Sequence, residues 1–121
     1  MTNETEFKNT IILITKEGMG YTRRDDSALQ LKLLETYLYL LQENDTLPAV
    51  ICFYADGVKL LVEGSYLLEN LTHLEQKGVR LIACSTCLNY FGLMDKLRVG
   101  VVGGMPDIIE AQIKADKVIT L

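Results

Sequence analysis

The apolar positions of this chain change period repeatedly, from runs that read as strands to stripes that read as helices. Thr10-Ile11-Ile12-Leu13-Ile14-Thr15 is a continuous, β-branched apolar run. Without alternation, such a run predicts a strand buried on both faces. Gly18-Met19-Gly20 interrupts it, and a helix is expected from Asp26 or Ser27 to Glu43, where Leu33, Leu34, Tyr37, Leu38 and Leu41 recur at helical spacing. Asn44 to Pro48 ends that helix, and Ala49 to Tyr54 reads as a second strand. After an Asp56-Gly57 turn, Val58 to Val62 fits either a helical turn or an extended piece. Gly64-Ser65 opens the next helix, with Ser65 as N-cap, a stripe of Leu67, Leu68, Leu71 and Leu74, and Gly78 as the stop. A third strand follows from Val79 to Ala83 or Cys84, then a short helix from Leu88 to Leu97. Arg98 to Val102 is a fourth strand, Pro106 to Ala115 a helix with proline in its first turn, and Lys117 to Thr120 a fifth strand.

Five strands separated by helices, with no linker or repeat, predict an α/β fold. It has three layers, α/β/α, around a five-stranded, mostly parallel sheet with right-handed crossovers. Residues 1–8 are expected to be a disordered N-terminal segment and 9–121 one domain. At 121 residues and 49% hydrophobic, the chain can bury a real core. The net charge of −4, with no basic cluster beyond Arg23-Arg24, argues against a nucleic-acid surface. No apolar run approaches the ~20 residues that a membrane span needs. The acidic N-terminus does not read as a secretory signal. Three cysteines make no disulfide framework, so a cytoplasmic protein with reduced thiols is expected.

The chemistry concentrates at Cys84-Ser85-Thr86-Cys87, directly after the third strand. A cysteine there faces the crevice where open α/β sheets bind ligands. The start of the following helix is expected to favour thiolate. A Cys-x-x-Cys pair serves dithiol redox, half of a zinc site, or sulfur carriage. Zinc needs about four ligands, and the chain has no second pair and one histidine, His73, expected on the solvated side of its helix. No metal or cofactor is expected. Thioredoxin-like redox fits poorly, because the pair follows the third strand rather than opening the fold. Cys52, between Ile51 and Phe53, reads as a small buried hydrophobe. With all strands parallel, Gly18, Gly20, Asp56, Gly57, Ser65, Gly103 and Gly104 reach the same sheet edge as the cysteines. They are the candidate substrate-binding positions, together with Ser85 and Thr86. Gly103-Gly104 offers a backbone anion nest.

Several segments in one order resemble the DsrE/DsrF-like superfamily, above all the C-terminal domain of YedF-type proteins. They are Gly57-Val58-Lys59-Leu60, Gly64-Ser65-Tyr66-Leu67-Leu68-Glu69, Leu74 to Val79, the cysteine loop continuing to Leu93, Asp95 to Gly100, and Ala115 to Ile119. The resemblance implies strand order 4-3-2-1-5, homo-oligomers, and a link to sulfur relay or selenium metabolism. It implies that Cys84, at the end of the third strand, takes sulfur from a sulfane donor as a persulfide. Cys87 then either favours the Cys84 thiolate or resolves the persulfide as a disulfide. Donor and acceptor proteins, or small sulfane donors, are the implied partners. The competing readings are a non-catalytic binding module of the same fold and a Cys84–Cys87 redox switch.

Overall fold

A computed structural model of the chain describes residues 7–23 and 26–121. The predicted strands form as β1 (Thr10–Ile14), β2 (Val50–Phe53), β3 (Arg80–Cys84), β4 (Val101–Gly103) and β5 (Lys117–Thr120). Every pairing is parallel, and the order is β4-β3-β2-β1-β5, as the resemblance implied. Helices α1 (Ser27–Glu43), α2 (Leu68–Gln76), α3 (Ser85–Tyr90) and α4 (Met105–Lys114) connect them. Two 3-10 segments, Ala55–Leu61 and Met94–Lys96, complete the fold.

Right-handed crossovers explain the layering. The steps β1-α1-β2 and β2-α2-β3 move the same way along the sheet, so α1 and α2 share a face. The return from β4 to β5 runs the other way and puts α4 opposite, over Ile11, Val50 and Arg80. All of β1 is buried, and Phe53, Leu34, Leu38, Leu71 and Leu74 fill the core around it.

Several boundaries differ from the sequence expectation, each for a local reason. Val58 to Leu61 is helical, as part of the 3-10 segment, and Leu60, Leu61 and Val62 are buried. α2 starts at Leu68 rather than at Ser65, whose hydroxyl instead accepts the Leu67 N–H at 3.1 Å in the turn upstream. The helix expected from Leu88 starts earlier, at Ser85, and stops where Gly92 takes φ +68°. β4 begins only at Val101, because the Arg98 and Val99 N–H groups turn to the Leu61 carbonyl, at 2.9 and 3.3 Å.

The frayed segment expected over residues 1–8 falls, for 1–6, outside the described residues. Phe7 and Lys8 form a helical turn, and Phe7 packs on the core. Leu33 lies on the exposed side of α1, so the buried stripe there is Leu34, Leu38 and Leu41. Tyr39, Leu40 and Tyr66 are exposed, while Leu60 to Val62 leave no apolar surface outward. A stripe that the sequence reading missed, Met105, Ile109 and Ile113, lies exposed along α4. No helix among the described residues is long and apolar enough to cross a membrane.

Candidate functional site

β3 runs apolar from Leu81 to Cys84 and stops there, because the next residue already belongs to α3. The cysteine pair therefore spans a strand end and the first turn of a helix. Cys84 lies beside Gly103 of β4, at the carboxyl edge of the sheet. It is 0% exposed rather than open to the crevice, since Gly103 of β4 lies beside it and α3 starts immediately above. Cys87 is the half-exposed thiol of the pair. The two are close enough for Cys84 to shift the titration of Cys87.

The second partner of Cys87 comes from another loop. The backbone N–H of Ala55 donates to Cys87 Sγ at 3.1 Å. Ala55 has φ +50°, a left-handed conformation that costs a non-glycine residue about 1 kcal/mol. The end of β1 holds it there. The Ile14 carbonyl accepts the Tyr54 N–H at 3.1 Å, and the Tyr54 carbonyl accepts the Gly57 N–H at 2.9 Å. Gly57 must be glycine, because a β-carbon there would run into the Ile14 carbonyl.

The thiol of Cys87 titrates above its ordinary range. Burial raises it most, the Ala55 N–H pulls it down, and the neighbouring Cys84 pushes it up again. The expected help from the helix start is overruled: α3 has six residues, and Cys87 rests protonated at neutral pH. Cys52 differs in kind. It is fully buried in β2 beside Ile82, and burial pushes its thiol up to about 11 against a smaller opposing effect of Arg80.

The other predicted positions divide. Asp56 pairs with Lys59 at 2.9 Å, and Lys59 Nζ stands 4.4 Å over the ring of Phe91, just past α3. This ties the loop of Ala55 to the helix of Cys87. Ser85 adjoins Gly104, its hydroxyl 4.0 Å from where a β-carbon on Gly104 would lie, and Thr86 is exposed. The expected anion nest is already occupied: the Gly104 N–H goes to the Asp107 carboxylate at 2.8 Å. Gly18 is pressed against Gln30 of α1, and the carbonyl of Gly20 takes the Lys16 ammonium at 3.0 Å, so both serve the β1–α1 turn. Ser65 lines a cleft of about 520 Å³ with Glu17, Lys59, Tyr66, Phe91 and Leu93. His73 is half-buried in the groove between α1 and α2, with Gln42 at 3.5 Å, rather than on a solvated side. Sequence reasoning missed Ala55 and the Lys59–Phe91 contact. The Asp56-Gly57 pair signalled a turn there, and a main-chain donor carries no residue signature.

The comparisons agree with this architecture. The model of the DsrE/DsrF-like family matches residues 9–121. The fold is similar to that of MTH1491, a protein of unknown function from Methanobacterium thermoautotrophicum, with a TM-score of 0.68 at 23% identity, covering 93% of this chain and 97% of that one. It is similar to the ychN protein from E. coli, at TM-score 0.66 and 21% identity, over 93% and 98% of the two chains. A conserved protein of unknown function, BT1422 from Bacteroides thetaiotaomicron, gives 0.63 and 15%, over 93% and 95%. No protein of curated function matches the chain. With the family match running from the start of β1 to the final residue, the chain belongs to the DsrE/DsrF-like family.

Proposed function

We propose that this protein carries sulfane sulfur, or the chemically equivalent selenium, as a persulfide on Cys87. The observation that carries the proposal is the half-exposed Cys87 thiol held at 3.1 Å by the Ala55 N–H. The sequence resemblance pointed to Cys84 as the acceptor, but its full burial closes it to a donor from solvent. Kinship with sulfur relay proteins supports the chemistry, and the resemblance to YedF-type domains supports selenium as a second cargo.

In the loading step the Cys87 thiolate attacks the outer sulfur of a donor R–S–SH. The donor S–S bond breaks, R–S⁻ leaves, and Cys87–S–SH remains. The thiolate is the nucleophile and Cys87 rests protonated, so loading accelerates as pH rises.

Mass spectrometry after incubation with inorganic polysulfide tests the reading. The expected result is a gain of one sulfur atom that maps to the Cys87 peptide and vanishes in Cys87→Ser. A folded protein that gains no sulfur overturns the carrier and favours a binding module of the same fold.

A further inference from the structure

We propose that Cys84 is the releasing thiol: it attacks the inner sulfur of a persulfide on Cys87 and expels the outer atom as hydrosulfide. This rests on the carrier reading above and adds how the cargo leaves.

Three observations converge. Cys84 is 0% exposed, so no acceptor or donor from solvent reaches it, yet it caps the helix whose first turn carries Cys87 and shifts that thiol's titration. It is a nucleophile with one accessible sulfur partner. The three-residue step across a strand end and first helical turn makes the two side chains neighbours, as a disulfide requires. The Ala55 N–H also sits on the inner sulfur itself, at 3.1 Å from Cys87 Sγ, where it draws electron density from the atom to be attacked. Cys52 has no part in this, because its neighbour in the sheet is Ile82.

The step balances without an outside reagent. The Cys84 sulfur forms a bond to Cys87 Sγ, and the persulfide S–S bond breaks with its electron pair on the outer sulfur. The Cys84 proton goes to that sulfur, so a persulfide anion and a thiol become a disulfide and HS⁻. The two cysteines lose two electrons together, and the sulfane sulfur is reduced to sulfide. An external dithiol reductant then reopens the disulfide. The acceptor chemistry served is therefore one that consumes free sulfide, not one that receives a sulfane atom directly.

Load wild type, Cys84→Ser and Cys84→Ala with inorganic polysulfide, remove the excess, and incubate without air or added thiol. Wild type is expected to lose the sulfur, release an equimolar amount of sulfide, and acquire a Cys84–Cys87 disulfide seen in its peptide mass. The two variants should load on Cys87 and hold the sulfur roughly tenfold longer or more. If none of the proteins loads, the carrier reading itself fails. If all load, and wild type keeps its sulfur, or the variants release it as fast, the carrier stands and the releasing role of Cys84 is overturned. The wild-type stoichiometry decides even if a variant does not fold.

Discussion

The centre of the sheet and its outer flank are built from the same residue types and end up in different states. β1 to β3 carry isoleucine, leucine, phenylalanine and cysteine, and almost all of it is buried. β4, β5 and α4 carry valine, isoleucine and methionine, yet Val101, Val102 and Val118 are nearly half exposed and Ile113 is 78% exposed. The difference is cover. The centre has helices over both faces, whereas β4 and β5 are edge strands and α4 is the last layer on its side. Apolarity thus says what a segment can bury, and topology decides whether it does. The cysteine pair lies on the seam, with Cys84 as the last residue of a buried strand and Gly103 of the exposed one beside it. That seam makes one thiol inaccessible and leaves its neighbour open.

The comparison breaks most readily under truncation. Phe53→Ala, in the centre, should cost about 3–5 kcal/mol in denaturant unfolding. A loss below about 1 kcal/mol would mean that the centre is no better packed than the flank.

Alkaline pH sharpens it next. The Cys52 thiol titrates near 11 in the folded chain against an ordinary 9.0. The folded state therefore keeps a proton that the unfolded state gives up. This contribution is whole below about pH 9 and disappears as pH climbs toward about 11. Two units correspond to about 2–3 kcal/mol. Cys52→Ala should flatten the fall in stability between those pH values, at a cost of about 1 kcal/mol at neutral pH through a small cavity. In native alkylation Cys87 should react, faster as pH rises, while Cys52 waits for unfolding.

A smaller effect comes from a flaw in the centre. The hydroxyl of Thr10 is buried and finds no hydrogen-bond partner among the described residues. Thr10→Val keeps the shape and removes an unpaired polar group, so it should raise stability by about 1 kcal/mol. A loss on thermal unfolding would reveal a partner for that hydroxyl.

The least effect is expected on the flank. Ile113→Ala should change the stability of a dilute monomer by no more than about 0.5 kcal/mol. The homo-oligomer expected from the sequence adds a second reading of the same variant. If a further copy covers α4, the cost grows with protein concentration, because only a covered side chain loses burial when truncated. A cost independent of concentration, with a sedimentation mass of one chain, leaves α4 bare.

The sequence made the architecture legible wherever apolar period and punctuation agreed. The unbroken run Thr10 to Ile14 gave β1, the leucine spacing gave α1, and Cys84 to Cys87 located a thiol pair at a strand end. The illegible parts depended on distant neighbours. Arg98 and Val99 look like strand residues, but the Leu61 carbonyl takes their N–H groups. The order of accessibility of Cys84 and Cys87 follows from a helix that starts at Ser85, three residues before the Leu88 that the sequence suggests. Gly103-Gly104 reads as an open anion site until Asp107, three residues away, fills it.

The grip on Cys87 is a main-chain amide, and that has a consequence for drift. A hydroxyl or a lysine in the same role could be lost in a single base change. Here position 55 can vary among the residues that tolerate its left-handed turn without deleting the donor. Proline alone removes it outright. Selection would act instead on Gly57 and on the course of the chain past Ile14, so the imprint of the site falls on positions that never touch sulfur.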